Sequence, residues 1–245
     1  MLQREHQERL YRSAGVVRIP MPSISEYEAQ LFGAVRASGQ KNGYIRIVRT
    51  RGIGDLGIDP ALCQGPKLII LVSTISLFPE RLYEEGIRLV IAKTRKPPRE
   101  VLNCTDAKHG NYLNNKLAKL EANDAGAHEA LMLTIDGYVC EASVENVFFV
   151  REGRLYTPST ETNCLRGITR GKIIELATEL GLGVTEGLFK PDFLQSAQEV
   201  FLTGTGAGIL PVSRIDDAVI GTGAIGDCTR RLRQLYEERL RSFCS

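Results

Sequence analysis

The 245-residue chain has no C-x-x-C pair and no cluster of cysteine with histidine. Its six cysteines, at 63, 104, 140, 164, 228 and 244, are far apart, which argues against a zinc site or a disulfide scaffold and for reduced thiols in a cytoplasm. It also lacks a dominant charge: 31 Lys and Arg oppose 29 Asp and Glu, for a net +2. That balance gives no global attraction to nucleic acid or to an anionic membrane, while leaving small charged ligands open. No apolar run approaches the roughly 20 residues of a membrane span. The opening MLQREHQERLYRSAG is too charged for a signal peptide, so a soluble, cytoplasmic protein is expected. Repeats and low-complexity segments are absent too.

What is present is ordinary globular material, 43% hydrophobic and 24% charged, enough for one large or two modest domains. Residues 5–14 read as a short helix with Leu10 on its apolar side and Arg9 beside it. A second helix is expected from a capping-box pattern at Ser25 and Glu28, with Leu31 and Val35 in period and Gly39 as the stop. Residues 43–50 form a β-rich run in which Tyr44, Arg46 and Val48 share one face. Arg46 there either lies on a solvated face or turns inward to grip a carboxylate with its planar fork. Residues 51–60, with three glycines and a proline, form a loop.

Residues 67–73 and 86–93 look like buried strands, and the segment around Pro79 between them is the expected domain boundary, dividing residues 1–82 from 83–245. Leu113, Leu117 and Leu120 set a helical stripe ending at Gly126. Asp136-Gly137 and Glu152-Gly153 each mark a hairpin, so this part is antiparallel sheet within a mixed α+β fold. Another helix carries Ile173, Leu176, Ala177 and Leu180 inward. The last is expected to start at Asp227 as N-cap and to pack through Leu232, Leu235 and Tyr236.

Two charges stand out. Lys108 sits just ahead of the run opening with Asn111-Tyr112, and Glu141 shares a strand face with Val139. Either could be ordinary surface charge. If the Val139 face is the core one, Glu141 is a buried carboxylate needing a partner. Gly204-Thr205-Gly206-Ala207-Gly208 follows a strand but precedes Ile209-Leu210-Pro211-Val212, a second strand, and a dinucleotide fingerprint needs a helix there. The remaining readings are a structural glycine turn or a close backbone approach to an anion. Ile168-Thr169 opens a helix directly after Gly167, and unpaired amides at a helix start suit phosphate.

The runs EHQERLYRSA, GYIRIVRTRG, GDLGIDP, KHGNYLNNKLAKLEA, EALMLTIDGYVCEASVENVFFV, LRGITR and EVFLTGTGAGILPV resemble, in order, the class IV (fold-type IV) pyridoxal-phosphate aminotransferases. The likeness is strongest to branched-chain amino acid aminotransferases. It implies a two-domain fold binding pyridoxal 5'-phosphate, with Lys108 as the catalytic lysine that bonds the cofactor's aldehyde and shuttles a proton. Such a lysine must give up its own proton, which burial beside other cations promotes. The resemblance further implies Glu141 on the pyridine nitrogen, Tyr112 on the phenolic oxygen and Leu165 against the ring. Arg9, the Ile168 and Thr169 amides and the Thr205 hydroxyl would form the phosphate cup. Tyr44, Arg46, Thr205 and Gly206 would read the substrate carboxylate.

By the same resemblance the partners are an amino acid and a keto acid, and the assembly a homodimer or higher homo-oligomer. Expected activity is transamination between leucine, isoleucine or valine and 2-oxoglutarate. D-amino acid aminotransferase and aminodeoxychorismate lyase, on the same fold, are the alternatives. A truncated, catalytically impaired cofactor-binding homologue is a further one, because this chain starts after the first strands of the family's small domain. Their absence would leave sheet edges unpaired and apolar surface exposed. Val144 also stands where a glycine is common, and Gly208 and Leu210 replace an acidic residue and a threonine.

Overall fold

The computed structural model describes residues 2–242, so Cys244 lies outside the described residues. Two helices open the fold, α1 (Gln3–Val16) and α2 (Ile24–Ser38). The S-x-x-E pattern occurs twice before α2, and the earlier copy is the one used. Ser23 Oγ accepts from the Glu26 amide (3.3 Å) while the Glu26 carboxylate accepts from the Ser23 amide (2.9 Å). This corrects the expected start at Ser25 and Glu28 by two residues, and the helix so begun turns Tyr27 and Leu31 inward, one turn apart. Gly39 ends it in the left-handed conformation, φ 64°.

Strands β1 (Tyr44–Arg49) and β2 (Leu68–Ser73) pair antiparallel as a separate two-stranded sheet. Arg46 lies directly opposite Leu71, and Val48 opposite Ile69. The face bearing Tyr44 and Arg46 therefore also bears Leu71 and Ile69, both exposed. β2 is thus not the buried strand its composition suggested. It alternates between half-buried and exposed positions, with α2 packed against it.

After the short α3 (Leu82–Glu85) comes the main sheet, assembled from β3 (Ile87–Ile91), β4 (Glu129–Leu133), β5 (Val139–Ala142), β6 (Asn146–Arg151), β7 (Arg154–Pro158), β8 (Val184–Gly187), β9 (Glu199–Gly204) and β10 (Gly208–Ile215). Their order is β5-β4-β3-β10-β9-β6-β7-β8, and β11 (Ala218–Val219) pairs with β10. The sheet is mixed: β10, β3 and β4 run parallel, as do β7 and β8, while the hairpins at Asp136-Gly137 and Glu152-Gly153 are antiparallel. The sheet curls until β5, at one end of that order, lies against β6 and β7.

Strand alternation distributes the core between two faces. Val147, Phe149, Leu202 and Leu210 point inside the curl with Leu89 and Leu131. Phe148, Phe201 and Ile209 point outward under the helices α5 (Ile168–Glu179) and α7 (Asp227–Ser242), meeting Ile173, Leu176, Leu232 and Tyr236. Asp227 is the first residue of α7 rather than its N-cap. The capping group is the Glu199 carboxylate, which accepts from the Cys228 (3.0 Å) and Thr229 (2.8 Å) amides. A Cβ on the intervening Gly226 would lie 2.1 Å from that carboxyl carbon.

Helix α4 (Leu113–Asp124) forms where expected but with the opposite face inward. Ala118 and Ala122 pack on Ala130 and Met132 of β4, while Leu113, Leu117 and Leu120 are 67%, 44% and 55% exposed. Methyl-sized side chains let the helix axis approach the sheet closely, so the alanine face is the buried one. The leucine stripe is left on the surface.

Candidate active site

The 97–110 segment, β5 and the loop before α5 converge on one pocket, lined by Lys96, Lys108, Tyr112, Glu141 and Leu165 among others. Four of these five are the residues expected there from the sequence, and Lys96 is an addition to them.

Glu141 is buried at 6% exposure and fixed from three sides. Lys96 Nζ donates to Oε1, and the Leu165 amide (2.9 Å) and Asn146 Nδ2 (3.3 Å) donate to Oε2. Asn146 Nδ2 also donates to the Leu165 carbonyl (2.9 Å), so one asparagine ties strand β6 to the residue over the pocket. That geometry explains Gly167: a Cβ there would sit 2.1 Å from Asn146 Oδ1.

Lys108 hangs from α1, its amide donating to Ser13 Oγ (3.0 Å), whose hydroxyl donates to the Arg9 carbonyl (2.8 Å). Its side chain is exposed, which corrects the expectation that burial surrounds it. The lysine's approach is set by the preceding segment, and Asn163 pins that segment. Asn163 Oδ1 accepts from the Cys104 amide (3.0 Å) and Thr105 Oγ1 (3.2 Å), and its Nδ2 donates to the carbonyls of Pro97 (2.8 Å) and Leu102 (2.7 Å). Asp106 adds ion pairs to Arg99 and Arg166.

Arg9 is only 9% exposed, and among the described residues no carboxylate pairs with it; its one side-chain partner is the His6 ring (3.4 Å). Burial, then the charges of Arg9 and Lys108, depress His6 to about 4, leaving the ring neutral near pH 7. A buried guanidinium without a counterion is a place for an anion. Helix α5 starts at Ile168 with no side chain capping its first turn, so the amides there are not claimed by a cap. Thr169 turns its hydroxyl toward Tyr236 (3.5 Å).

The GTGAG turn joins β9 to β10 as a tight hairpin, so a strand does follow it. Thr205 is exposed and, with Gly206, lines a separate hollow with Tyr83 and Arg233 that shares no lining residue with the pocket of Lys108 and Glu141. Gly206 also faces β1, since a Cβ on it would lie 3.6 Å from Tyr44 Cε2. Arg46, on the same strand face as Tyr44, is exposed, with no ion pair among the described residues. Tyr112 is half-buried at the start of α4.

This donor set fits a phosphorylated pyridine aldehyde. A lysine and a fixed carboxylate share one pocket, and a carboxylate with about four acceptor sites has given up three here. One remains for a ring N–H, and an unpaired guanidinium is held near Tyr112 and Tyr44.

Residues 1–215 match the amino-transferase class IV family. The chain belongs to the class IV aminotransferases. It is 39% identical to a putative branched-chain-amino-acid aminotransferase of Methanocaldococcus jannaschii, over 96% of this chain and 81% of that one. The crystal structure of the T.th. branched-chain amino acid aminotransferase with pyridoxamine 5'-phosphate superposes with TM-score 0.90 at 38% identity, over 96% of this chain and 77% of that one. The Escherichia coli branched-chain amino acid aminotransferase gives TM-score 0.90 at 34% identity, over 96% and 78%. As a class IV aminotransferase the chain is an enzyme of amino-group transfer, and its mixed fold is that of these structures. Among the described residues there is no group that could hold a metal ion, and no helix is long and apolar enough to cross a membrane.

Proposed function

We propose that the chain transfers the amino group of branched-chain L-amino acids to 2-oxoglutarate with pyridoxal 5'-phosphate as cofactor. The observation that carries this is the convergence of Lys108, Tyr112, Glu141 and Leu165 on one pocket, in a chain 33–39% identical to proteins named for that reaction. Bound, the cofactor supplies an electron sink for the substrate carbanion. Lys108 holds the cofactor between turnovers and then carries the proton taken from the substrate's α-carbon. Glu141, immobilised by Leu165 and Asn146, receives the ring N–H, and Tyr112 orients the phenolic oxygen. Arg9 with the Ile168 and Thr169 amides and the Thr205 hydroxyl holds the phosphate.

Tyr44, Arg46 and the Thr205-Gly206 turn are the readers of the substrate carboxylate, supported by the approach of Tyr44 to Gly206. The two-stranded sheet within residues 1–82 acts as a small domain and residues 83–245 as the large one, in a cytoplasmic homo-oligomer. Size-exclusion chromatography with light scattering tests the assembly.

Glutamate formation from 2-oxoglutarate by the cofactor-loaded protein tests the activity. L-leucine, L-isoleucine and L-valine should serve as donors and D-alanine should not. Preference for D-alanine would move the assignment to a D-amino acid aminotransferase. Absence of turnover with any donor would favour the impaired cofactor-binding homologue.

A further inference from the structure

Glu141 has a second cation. Lys96 lies beyond the end of β3, where its amide donates to the Leu133 carbonyl (2.8 Å) and it bridges to Thr134, continuing the parallel pairing with β4. From there its side chain reaches Glu141 on β5, the next strand over, and closes an ion pair 45 residues apart in sequence. The side chains are 4% and 8% exposed.

A buried ammonium is costly unless its partner is close and fixed. Here the partner is fixed, because Leu165 and Asn146 hold the other oxygen, so Glu141 cannot swing away from Lys96. Burial pulls Lys96 down, but the charge of Glu141 and its hydrogen bond overturn that and hold the ammonium above its ordinary range. Lys96 therefore keeps its proton throughout the physiological range.

We propose that Lys96 is a positioning residue that shares Glu141 with the cofactor's ring nitrogen and thereby sets the proton affinity of the bound cofactor. This rests on the function proposed above. A carboxylate that accepts from an ammonium has less charge to offer a ring N–H. A positive charge in the same pocket also disfavours a proton on the lysine-linked cofactor. The His109 ring lies within electrostatic reach of both Lys96 and Lys108, so the two lysines act on common ground. The titratable groups facing Lys96 are Glu141 and Cys140 on β5, Cys104, Lys108 and His109 on the 97–110 segment, Tyr112 at the start of α4, and Cys164 before α5. Burial raises all three thiols above their ordinary range, so none of them is the counterion of Lys96, and Glu141 is its ion-pair partner.

The test is a pH titration of the visible absorption band after loading with pyridoxal 5'-phosphate, in the parent, Lys96→Met and Lys96→Arg proteins. Circular dichroism and the cofactor dissociation constant are read on the same samples. Two unit charges on the order of 10 Å apart at an effective dielectric near 20 correspond to a shift of about 1 pH unit. Lys96→Met should therefore raise the midpoint by about 1 unit, and Lys96→Arg should keep it near the parent value. An unchanged midpoint in a folded, loaded Lys96→Met protein would overturn the proposal, as would equal shifts in both variants. Should Lys96→Met not fold, a crystal structure of the loaded parent decides: Lys96 Nζ within hydrogen-bond distance of Glu141 supports the proposal and a displaced Lys96 overturns it. A parent protein with no visible band would instead remove the underlying functional assignment, and this proposal with it.

Discussion

Replacing Asn163 by alanine should destabilise the protein more than any exposed substitution near the site. The residue is 2% exposed, sits at φ 62°, and its side chain makes four hydrogen bonds between 2.7 and 3.2 Å to the 97–105 segment. At a net ~1 kcal/mol for each bond, the side-chain loss is about 4 kcal/mol. Thr105 retains its bond to the Thr160 carbonyl (3.3 Å), which recovers part of it. Left-handed backbone costs alanine a further ~1 kcal/mol. The sum is about 3–5 kcal/mol, or a fall of roughly 10 °C in Tm for a chain of this length. Differential scanning fluorimetry of the cofactor-free protein reads it, and Asn163→Gly, free of the backbone strain, should recover about 1 kcal/mol of the loss. A Tm within about 1 °C of the parent for Asn163→Ala would refute the view that this side chain pins the approach to Lys108.

Gly167→Ala drives a Cβ into Asn146 Oδ1, so it should cost about 1–3 kcal/mol and weaken cofactor binding. Adding Asn146→Ala should relieve the clash, giving a non-additive double-mutant cycle; additivity would contradict the contact. Glu145 is raised to about 8, first by burial and then by the charge of Glu129. The folded state thus keeps a proton that the unfolded chain releases near 4.5. Stability from this group is fully present below 4.5 and is lost as pH rises toward 8. Glu145→Gln should gain on the parent in Tm across that window, and parallel pH profiles would contradict it.

The parts of the site legible in the sequence were those written locally. Lys108, Asn111 and Tyr112 stand within five residues, Glu141 sits on a hairpin strand marked by Asp136-Gly137, and Gly167 immediately precedes its helix. Lys96 was invisible because its meaning lies in a partner 45 residues away, and a lysine before Pro97-Pro98 reads as solvated loop charge. Asn163 was hidden for the same reason. Its left-handed conformation is one asparagine tolerates, but its four partners span residues 97 to 105.

Periodicity located α4 but not its inward face, because it reports where leucines align and not what lies opposite them. The alanines of β4 and α4 decided that. Likewise the S-x-x-E pattern before α2 admits two registers, and only the burial of Tyr27 and Leu31 selects one. Ile69 and Leu71 are exposed on the face shared with Arg46.

A half-reaction tests whether Lys108 and Glu141 form one pyridoxal-phosphate site working on branched-chain amino acids. The cofactor-loaded protein should be yellow, and L-leucine without any keto acid should convert the visible band to that of the pyridoxamine form. Lys108→Ala should abolish that conversion. A parent protein that forms no visible band on reconstitution, or whose band L-leucine leaves unchanged, would contradict the account.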